Sequence, residues 1–242
     1  MRNDLTLAWV LDSRRIRRLI PDAPSGIGWH GEEAFLGALL PHVHGRARVL
    51  EIGCGAGRIA RQVAPRAGEV TCSDVSRIML DEARENLAGE RNVIFHRADG
   101  FHLAGFPDAS FDLVYAHDVF VTFDLNQALA LLDEAHRTLR TGGHLVVSFY
   151  TIDRPPWAAT QLELVRRAAR SGRFSAGHPR AYTAAQVDAM CEAVRLRVVD
   201  RRYGEGKTEG DRGHYVVVAE PVSRRPLPGV RRDRRRELER DV

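Results

Sequence analysis

The stretch Val49-Leu50-Glu51-Ile52-Gly53-Cys54-Gly55-Ala56-Gly57 places three glycines at alternate positions after an apolar run that contains one acid. Glycines at this spacing let the backbone turn sharply out of a strand and approach a ligand more closely than any Cβ would allow. The N-terminus of a following helix, which attracts negative groups, would point at the same place. The stretch therefore predicts a strand, a turn and a helix that bind a nucleotide-like cofactor.

The spacing of the glycines argues against a dinucleotide. The pattern G-x-G-x-x-G would need a third glycine at position 58, where the chain has Arg58. The observed pattern, E-x-G-x-G-x-G after a strand, resembles the first motif of the class I S-adenosylmethionine (SAM) dependent methyltransferases; a glycine-rich turn without a ligand is the alternative. The resemblance covers residues 47 to 220 and implies SAM as the cofactor, with S-adenosylhomocysteine as its product.

Apolar strands alternate with helical stretches after this turn, which predicts a doubly wound α/β fold with a mostly parallel sheet. Five strands are expected, at residues 48–52, 69–73, 93–96, 112–116 and 144–149. Two further β-rich segments, residues 196–203 and 214–219, are typical of an antiparallel hairpin, which makes seven strands. A parallel sheet closed by such a hairpin is similar to the Rossmann-like methyltransferase fold and unlike a dinucleotide domain, which ends on a sixth parallel strand.

The chain length of 242 residues and the hydrophobic content of 44% are sufficient for one α/β core with appendages. We expect residues 1–44 to form an N-terminal helical cap and residues 45–222 to form the methyltransferase domain. Within that domain, residues 151–182 are expected to be a helical insertion that covers the substrate. Dense charge, glycine and proline in residues 223–242 predict a basic, disordered tail.

Composition also limits the partners. No apolar run approaches the about 20 residues of a membrane span, so we expect a cytoplasmic protein with no membrane partner. The three cysteines form no C-x-x-C pair, which argues against a disulfide framework and a metal site. The last 19 residues hold eight arginines and four acids, which accounts for the whole net charge of +4. The neutral remainder argues against a nucleic-acid partner, except through the tail.

Two acids follow the next strands. Asp74 ends the second strand, where a carboxylate can accept hydrogen bonds from both ribose hydroxyls, or can instead cap the following helix. Asp99 follows the third strand; by the resemblance it would bind the adenine amine, an ordinary turn aspartate being the alternative. Glu51 and the Gly53 carbonyl would meet the methionine end of SAM. The full set of expected cofactor residues is Glu51, Gly53, Cys54, Gly55, Asp74, Val75, Met79, Ala98, Asp99, Gly100 and Ala116.

His117 and Asp118 close the fourth strand, beside the expected position of the transferred methyl group. Imidazole can remove a proton near neutral pH, so His117 is the first candidate for a catalytic base and His178 the second. Positioning the acceptor in line with the sulfonium could also suffice without a base. The expected acceptor-binding residues are Asp118 and a set of aromatic and histidine residues outside the generic core, namely Trp29, His30, Tyr150 and Trp157.

These features together predict a SAM-dependent methyltransferase that acts on oxygen, nitrogen or carbon of a small molecule in specialised metabolism, such as natural product biosynthesis. Because the core is generic, specificity is expected in the insertion and the N-terminal helices. Two alternatives stay open. One is a methyltransferase acting on RNA or protein, and the other is a SAM-binding module without catalysis.

Overall fold

The computed structural model describes residues 32–100, 102–154, 158, 159, 162, 163, 165, 166, 169, 170, 180–204 and 213–222. Residues 1–31 of the predicted N-terminal cap and the predicted tail lie outside the described residues. So do four of the candidate site residues, Trp29, His30, Trp157 and His178.

A mixed sheet forms the centre of the described fold. Its strands are β1 (Arg48–Ile52), β2 (Glu69–Asp74), β3 (Val93–Arg97), β4 (Phe111–Ala116), β5 (Leu139–Thr151), β6 (Ala181–Tyr182), β7 (Leu196–Tyr203) and β8 (His214–Pro221). The order along the sheet is β3-β2-β1-β4-β5-β8-β7, and β6 pairs with β5 outside this path. Strand β8 runs antiparallel to β5 and β7, whereas the other pairs are parallel. The predicted fold class is confirmed.

Helices cover both faces of the sheet. They are α1 (Glu32–Leu39), α2 (Ala60–Val63), α3 (Arg77–Asn86), α4 (Leu125–Thr138) and α5 (Ala184–Ala193). Leu50 on β1 packs into the core beneath α4 and α5, while its neighbour Val49 packs into the core beneath α1 to α3. Successive residues of a strand point to opposite faces, so a strand covered on both sides must be apolar throughout. This is why β1 reads as an apolar run in the sequence.

The start of one strand differs from the prediction by several residues, and one short strand was not predicted. Strand β5 begins at Leu139 rather than at residue 144, because Leu139 takes an extended conformation at the end of α4 and pairs with Phe111. The ladder is irregular at this point, and it resumes where Leu113 pairs with His144. The two-residue strand β6 was not predicted, because two residues carry no periodic pattern. Among the described residues, no helix combines the length and apolar character needed to cross a membrane.

Candidate active site

The carboxyl ends of β1, β2, β4 and β5 meet at one edge of the sheet. Strand β8 is antiparallel to them, so its first residue lies at the same edge, where His214 pairs with Tyr150 at the end of β5. In open α/β sheets, ligands bind in the crevice outside this edge. Two groups of residues occupy it: a turn after β1 and a cluster of side chains after β4.

The turn after β1 is held by backbone hydrogen bonds to β2. The Gly53 amide donates to the Ser73 carbonyl at 2.7 Å, and the Gly55 amide donates to the Asp74 carboxylate at 2.9 Å. Gly53 has a φ of +68°, and a Cβ at this position would overlap the side chain of Val119. Only glycine fits this backbone without strain, so the glycine pattern read from the sequence has its physical cause here.

Asp74 lies buried between this turn and α3. Its second carboxylate oxygen accepts the Ser76 amide at 2.8 Å, and burial raises the pKa of the carboxyl above its usual value. The cap of α3 is Ser76, whose hydroxyl accepts the Met79 amide at 3.3 Å. Asp74 is therefore not the cap residue, which removes that alternative. A carboxylate oxygen has further lone pairs, which stay available for ribose hydroxyls.

Glu51 is the second buried acid beside the turn. Its side chain is on the face of the sheet where Cys72 of β2 and Tyr115 of β4 flank it in register. Burial raises the pKa of Glu51 to about 8. A carboxyl group in this state favours a ligand that brings a positive charge, since the charge would compensate the cost of burying the ionised form.

The other expected cofactor residues line the same edge. Ala98 ties β3 to β2 through a hydrogen bond from its amide to the Asp74 carbonyl at 3.0 Å. Asp99 is exposed and lies 3.0 Å from the Nδ1 atom of His102. Gly100 has a φ of +92°. Cys54, Met79 and Ala116 are buried, and Val75 is partly buried.

Three residues, the buried His117 and His214 and the partly buried Asp118, form a group on the other side of the edge, here called the His-Asp-His cluster. The Nδ1 atom of His117 lies 3.4 Å from Asp118, and the Nε2 atom of His214 lies 3.3 Å from the other oxygen of Asp118. The two imidazole rings stack with their centroids 5.5 Å apart. The sequence pointed to His117 and Asp118 but missed His214, since only the sheet topology brings the start of β8 to this edge.

The backbone holds Asp118 in place. Its φ is +58°, which is uncommon outside glycine, and its amide donates to the Ser148 hydroxyl on β5 at 2.9 Å. Strained backbone of this kind concentrates at functional sites. Burial raises the pKa of Asp118 to about 7, although the positive charge of Arg58 opposes the rise.

Arg58, which the sequence offered only as evidence against a dinucleotide, joins the turn to the cluster. One terminal nitrogen pairs with Glu32 at the start of α1, and the other lies 3.3 Å from Nδ1 of His117. Burial, together with the charges of His214 and Arg58, holds the pKa of His117 well below its usual value. His117 is therefore neutral near pH 7. Since a guanidinium only donates, the contact favours the tautomer with the proton on Nε2 of His117.

Aromatic rings enclose the cluster. Phe35 of α1 meets His117 edge-on with 4.6 Å between the ring centroids, and Tyr150 meets His214 in the same way, also at 4.6 Å. Tyr150 is itself buried. This edge therefore combines apolar walls with a few polar atoms, which is the usual character of a small-molecule site.

Comparison with known proteins agrees with this geometry. Residues 49–143 match the family described as "Methyltransferase domain". The chain is 34% identical over 173 residues to a demethylmenaquinone methyltransferase of Deinococcus radiodurans, covering 66% of this chain and 68% of that protein. It is 42% identical over 106 residues to the biotin biosynthesis bifunctional protein BioCD of Bordetella avium, covering 43% of this chain and 22% of the relative.

Among solved structures, a SAM-dependent methyltransferase from Aquifex aeolicus superimposes with a TM-score of 0.61 at 20% identity, covering 87% of this chain and 99% of that one. This likeness supports the fold. The chain spans between 22% and 45% of the length of several curated relatives that it matches.

Proposed function

Because the chain belongs to the class I SAM-dependent methyltransferases, we propose that it transfers the methyl group of SAM to oxygen, nitrogen or carbon of a small molecule in specialised metabolism. The observation that carries this proposal is the hydrogen bond between the Gly55 amide and the Asp74 carboxylate. It joins the glycine turn to the acid expected to bind the ribose, and it brings two motifs from different strands into one site.

The residues present fit SAM. The turn is open at Gly55, where an added Cβ would meet no protein atom within 4 Å, so a ligand can approach the backbone there. Asp74 would accept the ribose hydroxyls, and Glu51 would face the ammonium group at the methionine end. Asp99 is exposed and would reach the adenine amine by rotating its side chain away from His102. SAM supplies an activated methyl group when bound, so the protein needs mainly to position the acceptor.

The His-Asp-His cluster would contact the acceptor. We assign His117 to orienting the acceptor or removing its proton, with Asp118 beside it, and Tyr150 to one wall of the site. Within the described residues, the Nε2 atom of His117 has no hydrogen-bond partner. In the tautomer that Arg58 favours, Nε2 carries the proton and would donate to the acceptor; removing a proton would require the other tautomer, with Arg58 turned away from Nδ1. Trp29, His30, Trp157 and His178 remain predicted contributors from the cap and insertion.

A small-molecule acceptor is favoured by the enclosed, mostly apolar walls of this edge and by the names of two relatives, which refer to demethylmenaquinone and to biotin biosynthesis. An RNA or protein substrate would instead depend on the basic tail, and its affinity would fall steeply with added salt. A SAM-binding module without catalysis would show no turnover.

Two measurements test the proposal in sequence. Calorimetry of the full chain should show binding of SAM and S-adenosylhomocysteine, and much weaker binding of NAD. Incubation with methyl-deuterated SAM and a small-molecule extract of the source organism should then give a product that carries the deuterated methyl group, detected by mass spectrometry. Tighter binding of NAD than of SAM would contradict SAM as the cofactor. Methyl transfer to RNA or protein, with none to a small molecule, would show that the acceptor is a macromolecule.

A further inference from the structure

The His-Asp-His cluster has the spacing of a metal site. One donor atom from each of its three residues lies within 4.8 Å of the other two. The Nδ1 atom of His117 lies 3.4 Å from one oxygen of Asp118, and the Nε2 atom of His214 lies 3.3 Å from the other. Ligand atoms bound at about 2.0–2.1 Å to a tetrahedral ion are about 3.3 Å apart. The three donor atoms lie within 4.8 Å of one another, so the side chains would have to move closer together to hold an ion.

The charges around the cluster leave a carboxylate without full compensation. Among the described residues, Arg58 is the cation in contact with the cluster, and its other terminal nitrogen pairs with Glu32. When all three groups are ionised, Glu32, Arg58 and Asp118 sum to one negative charge, and neutral imidazoles add none. Burying such a charge is costly unless it is paired or bound to a metal.

We propose that His117, Asp118 and His214 bind one divalent transition-metal ion. Two imidazoles and one carboxylate suit Zn²⁺, Fe²⁺, Mn²⁺ or Co²⁺ better than Mg²⁺ or Ca²⁺, which prefer oxygen ligands. Three protein ligands also leave at least one coordination position open. Under the proposed function, that position would take an oxygen of the methyl acceptor. The metal binding itself does not depend on the acceptor.

Two features of the structure bear on the affinity. The hydrogen bond from the Asp118 amide to the Ser148 hydroxyl fixes the backbone of Asp118 before an ion arrives. Arg58 acts against binding, because its guanidinium lies 3.3 Å from Nδ1 of His117. It must turn towards Glu32 when a cation enters. Removing this positive charge with Arg58→Gln should therefore tighten metal binding, by about tenfold.

Metal titration of the purified full chain tests the proposal, with neither SAM nor acceptor present. After treatment with a chelator and dialysis, Co²⁺ should bind at one ion per chain and give the visible absorption bands of a four- or five-coordinate ion. Zn²⁺ should displace it. Mg²⁺ should not.

Variants locate the ion. Asp118→Asn keeps a residue type that tolerates positive φ, and His214→Gln keeps polar bulk. Each should lower Co²⁺ affinity by about 100-fold or more, at or beyond the upper end of the 10- to 100-fold cost of losing an outer-shell partner. His144→Gln is the matched control. This partly buried histidine lies towards the other end of β5, where it pairs with Glu220, and its loss should leave the affinity unchanged.

The proposal is overturned if wild-type protein gives no such bands, if Asp118→Asn and His214→Gln bind Co²⁺ like the wild type, or if His144→Gln weakens binding as much as they do. Weaker binding by Arg58→Gln would overturn the electrostatic reasoning behind it. Calorimetry with SAM on the same samples separates the two proposals. If the wild-type protein binds SAM but no metal, only the metal site is overturned. If the wild-type protein does not bind SAM, the proposed function is overturned.

Discussion

The glycine turn and the His-Asp-His cluster share one edge of the sheet, yet they are built in different ways. The turn is a continuous stretch whose backbone is held by hydrogen bonds from Gly53 and Cys54 to Ser73 of β2. The cluster consists of side chains from β4 and β8, which lie far apart in sequence. The difference teaches that the turn, where we propose that SAM binds, depends on local backbone geometry, whereas the cluster, where we propose that the acceptor binds, depends on the order of strands.

The largest effect is expected at the centre of the turn. Gly53→Ala adds a Cβ at a φ of +68° and into the side chain of Val119. Strain and overlap together should cost about 2–4 kcal/mol. If the turn shifts to relieve them and SAM binding bears this cost, SAM affinity should fall by about 30-fold or more. Calorimetry and a thermal melt measure this. Gly89→Ala is the control, because its Cβ would meet no atom within 4 Å; equal losses in both variants would contradict the role of the turn.

The acceptor side should respond in turnover rather than in cofactor binding. His117→Ala should lower kcat by about 100-fold if His117 removes a proton, and by much less if positioning suffices. Its SAM affinity should stay near that of the wild type. Steady-state kinetics with the identified acceptor decide between these outcomes. His44→Ala, which changes an exposed histidine, should behave like the wild type, and wild-type kcat and KM in His117→Ala would show that the acceptor lies elsewhere.

Asp74 joins the turn to the ribose site, so its loss should weaken SAM binding without abolishing the fold. Asp74→Ala removes a charged acceptor and leaves the Gly55 amide without its partner. We expect a loss of about 1.5–3 kcal/mol, measured by calorimetry against Asp81→Ala, which removes an exposed carboxylate on α3. Unchanged binding in a folded Asp74→Ala protein would refute the ribose assignment.

The pKa of Glu51 predicts a pH dependence on the cofactor side. Glu51 faces Cys72, Tyr115 and Asp74, and burial raises its pKa to about 8, so the carboxyl is mostly protonated below that pH. If SAM needs the ionised form, binding below this pH must displace a proton, so affinity should rise by about tenfold between about pH 6.5 and pH 8 and then level off. Calorimetry in two buffers would detect the proton released. Glu51→Gln should remove this dependence.

The raised pKa of Glu51 also makes the stability of the fold depend on pH, because the folded and unfolded chains bind different numbers of protons. Between the ordinary glutamate pKa of 4.5 and about 8, the folded chain holds a proton that the unfolded chain has lost. The free energy of unfolding contributed by Glu51 therefore falls as pH rises through this window. Denaturant unfolding of Glu51→Gln should lack that slope, and an identical slope in both proteins would contradict the raised pKa.

The smallest effect is expected from removing residues 224–242. A chain ending at residue 223 should keep SAM affinity and turnover within about twofold, because the described site lies wholly outside this segment. Retained SAM affinity with lost turnover would make the tail a substrate-binding element. Salt-sensitive binding of RNA by the full chain alone would point the same way.

Much of the cofactor side could be predicted because its signals are local. The glycines after β1, the acid at the end of β2 and the apolar run of β1 each reflect a constraint on a few consecutive residues. The same reasoning failed at the start of β5, where pairing between Leu139 and Phe111 replaced the expected loop. Sequence patterns also did not predict β6, because this two-residue strand forms by pairing with β5 and has no hydrophobic periodicity of its own.

The sequence predicted only two of the three residues in the His-Asp-His cluster. His117 and Asp118 follow an apolar strand in the sequence, so they could be placed at its end. His214 begins a strand in the hairpin and carries no local signal, since its position follows from β8 running antiparallel to β5. In the sequence, Arg58 was notable only because it stands where a dinucleotide motif would have its third glycine. The packing of α1 beside the turn shows that Arg58 contacts both Glu32 and His117.

The sequence by itself determined the sheet, the turn and the cofactor class, because backbone sterics and strand burial act over short stretches and leave a readable pattern. The tertiary structure alone decided which side chains meet around Asp118, which acids are buried and how their pKa values shift. Those properties arise from groups distant in the chain that are brought together in a low-dielectric environment, where position and charge matter more than sequence spacing.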